Sequence, residues 1–229
     1  PQNTTEPMKY TRKKTKKMCG VGINDAGYAI EQQIDGKRVS CPFYDTWKEM
    51  LRRCYSTKRL TQYPTYIGCS VTEEWHSFMA FRNWMSEQQW CDRQLDKDII
   101  KPNNKVYSPD TCMFVTGQIN NLLLKHKAKR GLWPQGVSSM KSHKKYVARL
   151  KIKSKPTHLG SYSTPEEAHA AYCLAKADYI ESLFPELTDE DPRLIPALQR
   201  HADNFRKKSR EQSAHSNQNQ NKTKQHHHE

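Results

Sequence analysis

The sequence contains no run of about 18 apolar residues, the length that a membrane-spanning helix requires. Its basic stretches also lack a long apolar face of the kind that holds a helix on a membrane surface. The first 17 residues include six cations and no apolar core, unlike a secretory signal. We therefore expect no membrane partner and a location in a reducing cytosol or nucleoid.

Paired cysteine motifs are missing as well. The seven cysteines are odd in number and widely spaced, and no two of them form a Cys-x-x-Cys pair. This spacing supports neither a disulfide framework nor a zinc ribbon. We expect buried free thiols instead.

Acidic residues are scarce relative to basic ones. Lysine and arginine number 38 against 24 aspartates and glutamates, so the formal net charge is +14 and the isoelectric point is about 9.4. A surplus of this size indicates a polyanionic partner. Because a membrane surface is already disfavoured, nucleic acid is the first candidate.

The 229 residues are enough for two small domains with polar tails. Residues 1–18 are predicted to form a disordered basic tail, because large apolar side chains are almost absent there. Residues 19–130 form a first folded region, and the stretch 131–136, with its glycines, tryptophan and proline, marks a boundary. A second region covers 131–187. Residues 188–229 are predicted to form a helix followed by a disordered polar tail from about Lys207.

In the first region, hydrophobic periodicity predicts a hairpin and helices. An Asp35-Gly36 turn joins two short strands within residues 20–40. Apolar residues at three- and four-residue spacing predict a helix from Tyr44, with Asp45 as its candidate cap, and a second helix from Thr72. Residues 95–124 then follow the order strand (95–100), polar turn (near 101–110), strand (112–115) and helix (118–124).

The second region is predicted to be a three-stranded antiparallel sheet packed on one helix. Apolar and cationic side chains alternate over residues 145–153, so one face of this strand belongs to the core and the other is basic. Flanking runs at 136–140 and 158–162 supply the neighbouring strands, and Thr164-Pro165-Glu166-Glu167 is a capping box that starts the helix. The alternation puts Tyr146, Ala148, Leu150 and Ile152 on the core face and Lys145, Arg149, Lys151 and Lys153 on the basic face.

A series of short motifs runs through this second region. They are Gly136-Val137, Tyr146-Val147-Ala148-Arg149-Leu150, Leu159-Gly160-Ser161-Tyr162, Thr164-Pro165-Glu166-Glu167-Ala168 and Ala171-Tyr172. Together the motifs resemble the integrase-type, or Apetala/ethylene-response-factor, DNA-binding domain, over about a fifth of the chain.

That resemblance implies that the sheet enters the major groove of duplex DNA. It assigns contacts with bases and phosphates to Arg149 and Lys151, with Lys145 and Lys153 nearby. Two departures from the family pattern mean that its sequence preference cannot be transferred: Ser138 and Ser139 stand where arginines are usual, and a histidine replaces a tryptophan. The remaining DNA-binding candidates are Lys141 and His158.

The order of elements in the first region carries a second resemblance. Two helices are followed by Leu95-Asp96-Lys97-Asp98, then by Tyr107-Ser108-Pro109-Asp110-Thr111-Cys112, then by Asn120-Asn121, and finally by the sheet-and-helix module. This order resembles phage-encoded HNH homing endonucleases that carry an integrase-type DNA-binding domain. The resemblance implies an α+β fold, with a degenerate ββα-metal region ahead of the three-stranded sheet, and a location in a bacterial host cytoplasm or nucleoid.

In a ββα-metal site, a hairpin and a helix present a general base and several ligands to one divalent ion, here magnesium or manganese. The resemblance places Asp96 at the metal-binding aspartate, Lys97 where the base histidine is usual, and Thr111 where a ligand asparagine is common. Asn120 or Asn121 falls near the third position on the helix. His126 lies about one turn beyond and is the substitute base.

Three functions follow from these features. The first is duplex DNA binding by an HNH-like protein, either sequence-tolerant or site-specific, with metal-dependent nicking. The second is a non-enzymatic DNA-binding or regulatory protein on a degenerate nuclease scaffold, which the lysine at position 97 favours. RNA binding is weaker, because a basic antiparallel sheet without exposed aromatic side chains is poorly suited to stacking single-stranded bases.

Overall fold

A computed structural model describes residues 17–123, 132–140 and 144–225, with side chains as far as residue 214. Helices account for 45% of the chain and strands for 22%, so the predicted α+β class is confirmed. The chain forms two compact units, Pro1–Asn120 and Asn121–Glu229.

The first unit begins with a β-hairpin. Strands β1 (Glu31–Ile34) and β2 (Lys37–Ser40) pair antiparallel around the Asp35-Gly36 turn. Both turn residues have positive φ, 51° and 74°, as a type I′ turn requires. The predicted hairpin is confirmed, although its strands are shorter than the segment 20–40.

Helix α1 (Pro42–Tyr55) starts two residues before the predicted Tyr44. Proline suits the first helical position, because the missing N–H would be unsatisfied there in any case. The prediction that Asp45 is the cap is wrong: Cys41 occupies the N-cap without a side-chain hydrogen bond, and Asp45 lies in the first turn. The Asp45 carboxylate instead accepts from Lys48 Nζ at 2.7 Å.

The helix predicted to start at Thr72 begins later. Residues Glu73–His76 form a 3-10 turn, and helix α3 (Phe78–Ser86) starts after Ser77, whose hydroxyl caps it by accepting from Ala80 N. The reason for the break is a distant aspartate. Asp25 accepts from Ser77 Oγ at 2.5 Å and from Met79 N at 2.8 Å, which holds Ser77 in an extended conformation.

Between α1 and α3, helix α2 (Thr57–Gln62) and a 3-10 turn (Pro64–Tyr66) lead into strand β3 (Ser70–Val71). Strand β3 pairs in parallel with β5 (Val106–Tyr107), which lies inside the segment predicted to be a polar turn. A parallel pair joins strands that are far apart in the chain, so no local sequence pattern predicts it.

Strand β4 (Gln94–Asp96) pairs antiparallel with β6 (Met113–Val115), and helix α4 (Gly117–Leu123) follows directly. The strand predicted to reach residue 100 therefore stops at Asp96. It stops because Asp96 Oδ1 accepts from the backbone N–H groups of Asp98 and Ile99, which turns the chain out of the sheet.

Aromatic side chains fill the core of the first unit. The Trp47 indole donates to the carbonyl of Trp75 at 2.7 Å, and both rings are fully buried. Trp75 also packs edge-on against Phe81, with ring centroids 5.1 Å apart. These aromatic side chains therefore belong to the core and are not available for stacking on bases. The largest buried side chains of the unit are Trp47, Met50, Leu51, Trp75, Phe78, Phe81, Met85, Tyr107 and Met113.

The second unit contains the predicted sheet and helix. Strands β7 (Val137–Met140), β8 (Lys145–Ile152) and β9 (Lys155–Tyr162) form one antiparallel sheet in that order. Helix α5 (Pro165–Ser182) begins at the capping box, with both reciprocal hydrogen bonds between Thr164 and Glu167 present. The prediction of a three-stranded sheet with one helix is confirmed for this part of the chain.

Helix α6 (Leu194–Gln225) packs against α5. Arg206 donates to Asp178 and Glu181, and Ser209 Oγ donates to the Ala170 carbonyl at 2.8 Å. The structure continues this helix to Gln225, whereas the sequence predicts disorder from about Lys207. No glycine or proline follows Pro196 within α6, so nothing breaks the helical hydrogen bonds.

No helix in the described part of the chain combines the length and apolarity needed to cross a membrane.

Candidate nucleic-acid interface

The register of the sheet assigns each β8 side chain to one of two faces. Residues 146, 148, 150 and 152 share one face, and residues 145, 147, 149 and 151 share the other. On the first face Ala148 and Leu150 are buried, and Tyr146 and Ile152 are half-buried. The predicted core face is therefore present.

The other face carries exposed cationic side chains. Lys145, Arg149 and Lys151 are all exposed, and they follow one another at two-residue spacing. His158 on β9 is also exposed and pairs directly with Arg149 across the strands. We call the surface formed by Lys145, Arg149, Lys151 and His158 the basic face.

A β-bulge determines which β9 side chain reaches the basic face. Ala148 pairs with Gly160, but Arg149 pairs with His158, so Leu159 is an extra residue in β9. Without the bulge, Leu159 would stand opposite Arg149. The irregularity reverses the alternation beyond it, which brings the histidine beside the arginine. Gly160, with φ of 141°, occupies a conformation that residues with a side chain rarely adopt.

Arg149 is oriented by the neighbouring strand. Its guanidinium Nη1 donates to Ser138 Oγ at 3.3 Å, and its backbone N–H donates to the Gly136 carbonyl at 2.8 Å. In the sequence, Ser138 was recognised only as a departure from a family pattern, and its contact with Arg149 was not predicted. Pairing β7 with β8 from their alternation would have put Ser138 beside Val147, two residues from Arg149 and on the same face.

The basic face is not uniformly solvated. Val147 belongs to it by alternation, yet it is only 2% exposed. Its cross-strand partners are Ser138 and Ser161. A buried valine therefore separates Lys145 from the Arg149 and Lys151 pair, so contact with a polyanion would be made on either side of it.

One predicted DNA-binding lysine, Lys153, does not join this face. Lys153 lies in the β8–β9 turn with φ of 45°, where its N–H donates to the Tyr179 hydroxyl at 3.0 Å and its Nζ pairs with Glu186 at 3.5 Å. The prediction that it continues the strand face is wrong, because the strand ends at Ile152. Lys141 lies outside the described residues.

Helix α5 supports the sheet at close range. An added Cβ at Gly136 would lie 2.0 Å from a ring carbon of Tyr172, and Gly136 has φ of 82°. Only glycine therefore fits where β7 begins. Tyr179, on the same side of α5 as Tyr172 by helical spacing, holds the β8–β9 turn through Lys153 N.

The described residues of the predicted nuclease site make hydrogen bonds that support the fold of the first unit. Asp96 Oδ1 accepts from two backbone N–H groups, of Asp98 at 2.7 Å and of Ile99 at 2.8 Å. Burial raises the pKa of the Asp96 carboxyl above its ordinary value, and these two hydrogen bonds oppose the shift. The carboxylate thus ends β4 and shapes the following turn.

Lys97, at the position of the predicted general base, is 5% exposed. Its ammonium donates to both Asp98 carboxylate oxygens, at 2.9 and 2.8 Å, and to the Asn104 carbonyl at 2.7 Å. It also lies over the Tyr107 ring, 5.7 Å from the centroid. These acceptors use the hydrogens of the ammonium, which stabilises the turn, and an ammonium has no lone pair with which to take a proton from a water nucleophile.

Of the other predicted site residues, Asn120 lies beside the strand that carries Asp96, and Thr111 has a backbone partner of its own. Asn120 Nδ2 donates to Gln94 Oε1 at 2.6 Å, which fixes α4 beside β4 two residues from Asp96. Thr111 Oγ1 donates to the Val106 carbonyl at 2.8 Å. His126 lies outside the described residues. Across the ranges that the structure describes, no three His, Cys, Asp or Glu side chains are grouped as a metal site.

Comparison of the chain with protein-family models, with curated proteins and with solved structures finds no match.

Proposed function

We propose that this protein binds duplex DNA through the basic face of its second unit. The proposal depends on one observation: three cations and a histidine project from the same exposed face of an antiparallel sheet whose other face is buried against a helix. A two- or three-stranded antiparallel ribbon fits the major groove of B-form DNA. Phosphates on both sides of the groove then supply charge complementarity.

The side chains of the basic face have different chemical capacities. The planar guanidinium of Arg149 can donate two hydrogen bonds to one guanine edge, and Ser138 helps to aim it. Lys145 and Lys151 are compact point charges suited to phosphates. His158 stands across from Arg149 and can donate to a phosphate or a base acceptor.

Arg149→Ala and Lys153→Ala form a matched pair within this module. We expect Arg149→Ala to weaken binding to a preferred duplex by about 1–3 kcal/mol. Lys153→Ala should change binding little, because Lys153 is off the basic face and already pairs with Glu186. Fluorescence anisotropy titrations across several salt concentrations measure both variants. Equal losses for the two variants would refute the assignment of the basic face.

A second candidate function is metal-dependent DNA nicking by the first unit. The succession β4, β6, α4 supports a ββα arrangement, and Asp96 stands on its first strand. The donor set around Asp96 does not fit a divalent ion, however. Asp98 is already neutralised by the buried Lys97 ammonium, and a fixed cation one residue from Asp96 repels a second one.

We therefore propose the non-enzymatic function over the nuclease, with DNA binding as the activity of both. Incubation with supercoiled plasmid, with magnesium or manganese, should leave the plasmid intact. Asp96→Asn is the control, because the amide oxygen can still accept the two backbone N–H groups while the charge is lost. Nicking by the wild type that disappears in Asp96→Asn would replace this proposal with a metal-dependent endonuclease.

A further inference from the structure

The first unit has its own concentration of positive charge. Four cations, Arg52, Arg53, Lys58 and Arg59, lie between Glu49 and Glu73 without a single intervening acid. Lys101 and Lys105 lie in a second acid-free segment, between Asp98 and Asp110. In the sequence the two segments are about 40 residues apart, and nothing there indicates that they meet.

The β3–β5 pair brings the ends of these two segments together. Strand β3, which follows the first segment, pairs with β5, which follows Lys105. The Lys105 ammonium crosses between them and donates to the carbonyls of Thr65 and Ile67, at 3.0 and 3.1 Å. We use the name loop surface for the cations and exposed apolar side chains of the two segments that this pair joins: Lys58, Arg59, Tyr63, Ile67, Lys101, Lys105 and Val106.

Most of the charge on the loop surface is not neutralised. Arg59 pairs with Glu49 at 2.6 Å. In contrast, no ion pair among the described residues joins a carboxylate to Lys58, Lys101 or Lys105. The hydrogen bonds of Lys105 go to carbonyls, so its charge remains available to an anion.

Apolar side chains stand among these cations. Ile67, which follows the 3-10 turn Pro64–Tyr66, is 60% exposed, and Tyr63 is 43% exposed. Val106, the chain neighbour of Lys105, is 40% exposed. Large exposed apolar side chains that cluster at a charged loop are characteristic of a contact surface.

We propose that the loop surface is a second contact with duplex DNA, in which its lysines meet phosphates and Ile67 packs into the minor groove. Proteins that bind the minor groove use cationic and polar side chains and frequently insert an apolar side chain such as isoleucine between base steps. The proposal shares the duplex partner of the proposed function but depends on no residue of the basic face. A lipid surface fits less well, because three apolar side chains bury too little area to hold a protein on a bilayer.

The charge contribution is tested with the double variant Lys58→Gln/Lys101→Gln in the full chain. Both side chains are exposed, so the fold should be unaffected. We expect affinity for a mixed-sequence duplex to fall about tenfold or more at low salt, and the slope of log Kd against log salt to fall by up to about 1.8, for two phosphate contacts. The control is Lys37→Gln/Lys207→Gln, which removes two exposed lysines outside both surfaces and should keep the slope.

The apolar contribution is tested with Ile67→Ser against Ile34→Ser. Ile34 is 50% exposed in the β1–β2 hairpin and serves as the matched control. Ile67→Ser should weaken binding about fivefold without changing the salt slope, because an apolar contact releases no counterion. Ile34→Ser should bind like the wild type.

The outcomes separate this inference from the proposed function. Wild-type affinity in both loop-surface variants, together with a loss in Arg149→Ala, would overturn the inference and leave the basic face standing. The opposite pattern would leave the loop surface and remove the basic face. If Ile67→Ser lost binding to vesicles of anionic phospholipid while its DNA affinity stayed unchanged, the loop surface would be a membrane contact and the inference would be wrong.

Discussion

Replacing Lys97 tests whether its ammonium serves the fold. Lys97→His introduces the side chain that a nuclease would need at this position, but imidazole is too short to keep the three hydrogen bonds that the ammonium makes. The Asn104 carbonyl would lose its charged donor in a residue that is almost fully buried. Asp98 would lose its partner too, although it is half exposed and can be rehydrated.

The cost can be estimated from these contacts. An orphaned buried carbonyl costs about 1–3 kcal/mol, and loss of a half-exposed ion pair adds about 1 kcal/mol or less. We therefore expect Lys97→His to lower the free energy of unfolding by about 1–4 kcal/mol. That is a large part of the roughly 5–15 kcal/mol that stabilises a typical domain.

Urea unfolding followed by tryptophan fluorescence measures this loss. Lys101→His is the control, because Lys101 is an exposed lysine in the same turn and its replacement should change stability by less than about 0.5 kcal/mol. If Lys97→His were as stable as the wild type, Lys97 would not be holding the turn. If the variant also nicked plasmid, the histidine would be acting as a general base and the nuclease function would be supported.

Three further predictions concern the second unit. Gly136→Ala should lower the free energy of unfolding by about 3 kcal/mol, because the new Cβ meets the Tyr172 ring. The control is Gly36→Ala, which has a similar φ but open space around the new Cβ and should cost about 1 kcal/mol in the same urea assay. Thr164→Ala removes one side of the capping box and should cost about 1 kcal/mol of unfolding free energy. Burial lowers the pKa of Lys176 to about 8 from 10.5, so the unfolded chain binds more protons between these values and stability should rise with pH there. Lys176→Met should remove that rise and raise the Tm at pH 7; an unchanged pH profile in this variant would refute the assignment.

Local signals in the sequence were sufficient where neighbouring residues determine the structure. The Asp35-Gly36 turn and the Thr164 capping box each specify a conformation within four residues, and both are present. The alternation in β8 correctly separated Ala148 and Leu150 from the exposed Arg149. The strand face could therefore be predicted, while its role in DNA binding stays a prediction.

Features that depend on distant residues could not be predicted. The start of α3 is determined by Asp25, more than 50 residues earlier. The bulge at Leu159 appears only when β8 and β9 are aligned, and it alone brings His158 beside Arg149. Likewise, burial of Lys97 follows from the position of Asn104 and Tyr107, which no periodicity of the surrounding sequence encodes.

The contact between Asp25 and the start of α3 has a kinetic consequence. The N-terminal segment is held by hydrogen bonds between residues that are 52 and 54 positions apart. A further hydrogen bond, from the Ile23 backbone N–H to the His76 carbonyl, reinforces them. Closing such a long loop is entropically slow, whereas the three strands of the second unit connect to immediate neighbours. We expect the second unit to fold first. Four of the five tryptophans lie in the first unit, so after dilution from urea their fluorescence should recover more slowly than helical circular dichroism.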